Sequence, residues 1–228
     1  MALIYSNTKL CDVINNEPSV IPVINRFGIY LGTGDSSIEA VCRNHGLDTE
    51  FFLTILNTFI NESYFPEETL MSFSAHEIIS YLIKTNNYYT KFQLHNIQRH
   101  FKLLLSSSDG NNNNLELMLR FFEGLKNDIV KRIDSDTTQW FPAIIAMENG
   151  QAPSAPLCLD DESTTIEDKL SDLKNMFIMH LSGQYDLNLC YGVIVAIITL
   201  EKDIRQNNRI RNRILLPISR SLLSQFDK

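Results

Sequence analysis

An all-α fold, with a small helical module followed by a four-helix bundle, is predicted by three observations. Beyond residue 75, apolar residues recur at spacings of three and four, and the alternation that marks strands is absent throughout. Turn signals crowd the N-terminal part, at Glu17-Pro18, Leu31-Gly32-Thr33-Gly34-Asp35 and His45-Gly46-Leu47-Asp48. Two polar tracts of unequal length separate the long periodic segments, which is the connection pattern of a bundle.

Residues 1–62 break into short helical pieces and form the small module. Residues 63–74, with Pro66, Glu67 and Glu68, are expected to be a linker, and residues 75–228 the bundle. Its helices are predicted over about 75–105, about 115–134 with an extension toward 140, about 165–182 and about 188–215. The tract Ser106 to Asn114 reads as a loop, and Asn149 to Ser163, with Pro153 and Pro156, as a longer crossover. Tyr88, Tyr89 and Phe92, with Phe121, Phe122 and Trp140, are expected in the bundle core.

The chain has 228 residues, 44% of them hydrophobic, enough for one good core or two small ones. Its formal charge of −7 offers no global attraction to phosphate or anionic lipid, so a nucleic-acid role needs a local basic patch. Cys11, Cys42, Cys158 and Cys190 show no CxxC spacing, which signals neither a zinc site nor a disulfide framework. Cys11 and Cys42 are expected to be core thiols. The longest aliphatic stretch, Val193 to Leu200, is too short to span a bilayer, and a reduced, cytoplasmic setting without a membrane is expected. Gly32-Thr33-Gly34 lacks the spaced glycines and the lysine of a phosphate loop, and no nucleophile elbow or paired catalytic carboxylates are evident. Enzymatic activity is therefore not expected.

Two proline-ended segments, Trp140-Phe141-Pro142 and Leu215-Leu216-Pro217, and the run Tyr81-Leu82-Ile83-Lys84-Thr85-Asn86-Asn87 share the order of segments of one known family. From residue 75 onward the chain resembles the hemerythrin-like domain of the iron–sulfur cluster repair di-iron proteins. The resemblance implies a ligand histidine where Asn86 stands. Counting back from Pro142, it implies a histidine at Arg132 and glutamates at Asp136 and Thr137. Counting back from Pro217, it implies a histidine at Asn207 and a glutamate at Arg211. The ligands opening the second and third helices fall nearest Asp109 and Asp168. A di-iron site needs imidazoles on each metal and bridging carboxylates, and an arginine brings fixed positive charge instead. No metal cofactor is therefore expected. The alternative is a residual metal or di-iron site built from Asp109, Asp136 and Asp168 with an outlying histidine.

Helical phase gives these positions a direction. Asn86 follows Leu82 by four, Arg132 follows Ile129 by three and Arg211 follows Ile204 by seven, so all three are expected to point inward. Arg132 and Arg211, with Asp136, Asp109 or Asp168 and the asparagine amides, are expected to form a hydrogen-bonded ionic cluster in the former metal position. Lys202, Arg205, Arg209 and Arg213 fall about four apart and read as an outer basic stripe of the last helix, suited to solvent, an acidic partner or DNA.

The run from Ser36 to Asn57 has the spacing of a helix–turn–helix, with Gly46 supplying a left-handed turn, Asp48 capping the second helix and Phe52 and Ile55 packing it. The second helix begins with Thr49 and Glu50, the candidate DNA contacts, and carries no lysine or arginine from Asp48 to Phe59, which is weak equipment for phosphate. Phe27-Gly28 and Gly46-Leu47-Asp48 also resemble the small domain preceding the bundle in the cluster-repair proteins, without that domain's cysteine turn. The expected function is that of a non-enzymatic regulatory or partner-binding protein, a degenerate metal-free relative of the cluster-repair proteins. A transcriptional regulator, acting as a homodimer on DNA through the N-terminal module, is the main alternative.

Overall fold

The computed structural model describes residues 3–108, 113–153 and 163–226. Among these residues the chain is all-helical, and its only extended pairing is an isolated bridge between Lys9 and Ser37. Two compact units form: residues 1–85 with 209–228, and residues 86–208. This division differs from the boundary expected at 63–74, because that segment is not a bare linker. It carries a short helix whose Leu70 is fully buried, and its Glu67 receives Arg213 from the C-terminal part of the same unit.

In the first unit, α1 (Leu10–Asn16), α2 (Ile21–Arg26), α3 (Ile38–His45), α4 (Thr49–Ile60) and α5 (Glu67–Ser72) follow one another in short steps. α6 (Ala75–Tyr88) begins in this unit. The α3–α4 turn follows directly from its sequence. Gly46 takes φ 63°, a left-handed value that penalises any side chain, and Asp48 Oδ1 accepts the Phe51 N–H at 2.7 Å. Phe52 and Ile55 then pack inward as their spacing required. A device with no sequence signature holds the N-terminal segment. The buried Asn57 side chain accepts from the Ile4 N–H at 2.8 Å and donates to the Ile4 carbonyl at 2.9 Å, imitating a strand partner.

In the second unit, α7 (Leu94–Ser106), α8 (Asn113–Ser135), α10 (Ser163–His180) and α11 (Leu187–Ile210) share one apolar core, which includes Phe101, Phe122, Leu170, Phe177, Ile197 and Ile204. α9 (Phe141–Glu148) lies between α8 and α10 in the chain, and α12 (Leu216–Leu223) closes the first unit. Paired residues define the helix directions. Gln98 meets Glu123 and Lys126, Lys169 meets Asp128, Asn114 meets the His180 carbonyl, and Lys174 meets Glu201 while Glu167 meets Asn208. Lys102 also meets Glu123, and as one residue number rises its partner's falls, so α7 and α8, α8 and α10, and α10 and α11 run antiparallel.

The two proline segments do not end their helices. The backbone widens into a π-helical turn over Asp136–Trp140 and another over Arg211–Leu215, and the chain then continues as α9 and α12. Pro142 and Pro217 each stand six residues after the first residue of a π turn. Proline cannot donate to the carbonyl four residues back and its ring crowds that carbonyl, which favours the wider winding. Threonines help, since Thr137 and Thr138 hydroxyls donate to the Ile133 and Asp134 carbonyls, each at 2.7 Å. A third π turn, Tyr89–Gln93, separates α6 from α7 and has the same aid from Thr90, which donates to the Asn86 carbonyl.

Candidate functional site

α11 changes character along its length. Val193, Ile197, Leu200 and Ile204 are fully buried apolar residues, yet Glu201, Asp203, Gln206, Asn207 and Asn208 are also buried. A helix buried on more than one side with polar residues must find partners for them, because an unpaired buried polar group costs on the order of 1 to 3 kcal/mol.

The partners of Glu201 and Asn208 come from two neighbouring helices and form one continuous chain. Lys174 Nζ of α10 meets Glu201 Oε2 at 2.6 Å, and Glu201 Oε1 accepts from Arg205 at 3.0 Å. Arg205 Nε faces Glu167 Oε2 of α10 at 3.8 Å, and Glu167 Oε1 accepts from Asn208 Nδ2 at 2.7 Å. Asn208 Oδ1 then accepts from an Arg132 guanidinium N–H of α8 at 2.9 Å. Donors and acceptors alternate along the chain, and its inner end is dry: Arg132 is 8% exposed and Asn208 2%. A second cluster adjoins it in sequence. Asn207 Nδ2 donates to Tyr89 Oη at 2.7 Å, to the Asp203 carbonyl at 2.7 Å and to Asp203 Oδ1 at 2.9 Å.

Of the residues expected in the ionic cluster, Arg132, Asp136 and Asn207 are buried. Asp136, 5% exposed, sits in the π turn four residues after Arg132. Others lie elsewhere. Asp168 is exposed on α10, and the preceding residue, Glu167, supplies the carboxylate. Asn86 and Arg211 are half-buried rather than inward, and Arg211 belongs to the first unit, where it donates to Asn212 Oδ1 at 3.0 Å. Asp109 lies outside the described residues. Glu167, Lys174, Glu201, Asp203 and Asn208 went unread in the sequence. Asn208 could have been found, since it continues the inward spacing of Ile197, Ile204 and Glu201 by four and seven.

The expected basic stripe is largely engaged within the chain. Arg205 binds Glu201 and Glu167. In the first unit, Arg209 donates to the Glu62 carbonyl at 2.9 Å, and Arg213 pairs with Glu67 at 2.7 Å. Both guanidinium groups lie over the Phe65 ring, 4.5 and 4.4 Å from its centre. Burial and the charge of Arg213 lower the Arg209 pKa, with Glu62 acting in the opposite sense. Lys202 is half-buried. The candidate DNA contacts Thr49 and Glu50 are half-buried and exposed, and from Phe51 to Ile60 only Leu53 of α4 is not buried.

All five histidines are exposed or half-buried. Among the described residues no three His, Cys, Asp or Glu side chains gather as a metal site. Cys42 is a core thiol whose pKa burial pushes up, whereas Cys11 is half-buried with Sγ 3.8 Å from Asp12 Oδ1. Tyr89, Phe122 and Trp140 are buried as expected, but Phe92 is largely exposed. Among the described residues no helix is long and apolar enough to cross a membrane. Comparison with protein-family models, curated proteins and solved structures finds no match to the chain.

Proposed function

We propose that the chain is a non-enzymatic regulatory or partner-binding protein, built on a hemerythrin-like four-helix bundle in which fixed charges and amides have taken the place of metal ligands. The observation that carries this reading is Arg132. It is a buried guanidinium, hydrogen-bonded to Asn208, at the position where the resemblance calls for a ligand histidine. A guanidinium stays protonated and has no lone pair to offer a metal. The polar chain through Glu167, Glu201 and Lys174 then supplies by hydrogen bonding the cross-helix ties that bridging carboxylates would supply through iron.

Regulation by DNA binding is the weaker reading. α4 is buried along most of its length, and Arg205, Arg209 and Arg213 are already committed to Glu201, Glu62 and Glu67. A cytoplasmic, metal-free setting belongs to the same proposal. The test is anaerobic reconstitution with ferrous iron, removal of loose metal, elemental analysis and an absorption spectrum. Negligible retained iron is expected. About two irons per chain with oxo-bridge absorption would overturn the reading.

A further inference from the structure

Phe27 and the motif Gly46-Leu47-Asp48 of the N-terminal module line one cavity of about 380 Å³. α6 contributes two rows to its wall, His76 with Ser80, and Glu77, Tyr81 and Lys84 spaced four and three apart. Phe27, Phe51 and Tyr81 are buried and pack on one another, Phe27 stacked on Tyr81 at 5.6 Å and Phe51 edge-on to Tyr81 at 6.3 Å. They give the cavity an aromatic lining of the kind small-molecule sites use.

Two carboxylates line this cavity. Asp48 is exposed and spends one oxygen on the Phe51 N–H, Glu77 is half-buried, and among the described residues neither takes part in the ion pairs Lys9–Asp35, Arg43–Glu39 and Arg213–Glu67. Burial, and then the Asp48 charge, push the Glu77 carboxyl above its ordinary range, with His76 pulling back. A cation placed there relieves both effects. The His76 imidazole also lines the cavity, but it does not gather with the two carboxylates into a group that could hold a bare metal ion, and the aromatic lining would then be idle. Lys84, also lining the cavity, stands about 10 Å along the α6 axis from Glu77 and repels positive charge at that end.

We propose that this cavity binds a small organic monoammonium ion, its nitrogen held by Asp48 and Glu77 and its apolar body against Phe27, Phe51 and Tyr81. The site lies wholly in the first unit and stands independently of the reading of Arg132. The experiment is calorimetric titration of the full chain with 2-phenylethylamine, with 2-phenylethanol as the uncharged counterpart and 1,4-diaminobutane as a dication. Saturable binding of the monoamine, tighter than about 1 mM, is expected, at least about tenfold weaker for both comparison compounds. Glu77→Gln and Asp48→Asn should each weaken the monoamine about tenfold. Asparagine still caps α4, so Asp48→Asn keeps the fold if Glu77→Gln does not. No saturable binding by the unaltered chain, equal binding of the alcohol, or indifference to both substitutions would overturn the proposal.

Discussion

Arg132 of α8 and Asn208 of α11 meet through a 2.9 Å hydrogen bond at the buried end of a polar chain that passes through Glu167, Arg205, Glu201 and Lys174. Truncating the arginine leaves the Asn208 side-chain oxygen Oδ1 without this donor and opens a gap in the core. Arg132→Ala should therefore destabilise the fold by about 2 to 4 kcal/mol and lower the melting temperature by several degrees. An unchanged melt would show that the guanidinium contributes nothing.

Burial decides how much an ion pair matters. The side chains of Lys174 and Glu201 are 25% and 6% exposed, and those of Lys169 and Asp128 are 39% and 46% exposed. Both pairs sit at similar short distances, so double-mutant cycles to alanine isolate the effect of environment. The first pair should couple by about 1 to 3 kcal/mol and the second by less than about 1 kcal/mol. Equal coupling energies from denaturant titration would refute the burial argument.

The α3–α4 turn offers a local test. Gly46→Ala forces a side chain into a left-handed conformation and should cost about 1 kcal/mol or more, although nothing stands within 4 Å of the added carbon. Asp48→Ala should cost about 1 kcal/mol through the lost cap, and Asp48→Asn much less. A loss from Asp48→Asn as large as that from Asp48→Ala would mean that charge, not capping, holds the helix.

Glu77 makes stability depend on pH with a definite sign. Its carboxyl is raised in the folded state, by burial first and Asp48 second, so the fold holds this proton more tightly than the unfolded chain does. Its contribution is full below the ordinary carboxylate range and is lost as pH rises through the folded value. Glu77→Gln should flatten that part of the stability profile and leave the protein at least as stable at pH 7. A marked loss of stability at neutral pH would show that the carboxylate is structurally required.

Cys42 and Cys11 should differ in reactivity. The first is fully buried with its thiol pKa raised by desolvation, and the second is half-buried at the surface of α1. Iodoacetamide under native conditions should label Cys11 well before Cys42, as read by peptide mass. Equal rates would mean that the first unit opens readily.

Local chemistry was legible in the sequence where a residue has one dominant role. Gly46 and Asp48 declare the turn they make, and the spacing of Ile129 and Arg132 declares an inward arginine. Partner identity was not legible, because it depends on how far one helix slides along another. A displacement of one residue separates the expected Asp168 from the observed Glu167. Helix ends after proline were also misread, since a proline reads as a stop when the backbone has no wider winding available. Asn57 carried no signal at all, its role resting on a backbone segment more than fifty residues away.

The π turn at Asp136–Trp140 holds one residue more than a regular helix of the same axial length would need. Residues after it are therefore turned by about 100° from where an unbroken helical count would put them. Such a turn is the way a helix absorbs a single inserted codon without unfolding. Removing Thr138 would return the segment to ordinary winding and leave Ile144 and Met147, both buried, facing the side they face now. The turn thus works as slack in the helix: a one-codon gain or loss is taken up where it occurs, and the packing on either side of it stays in register.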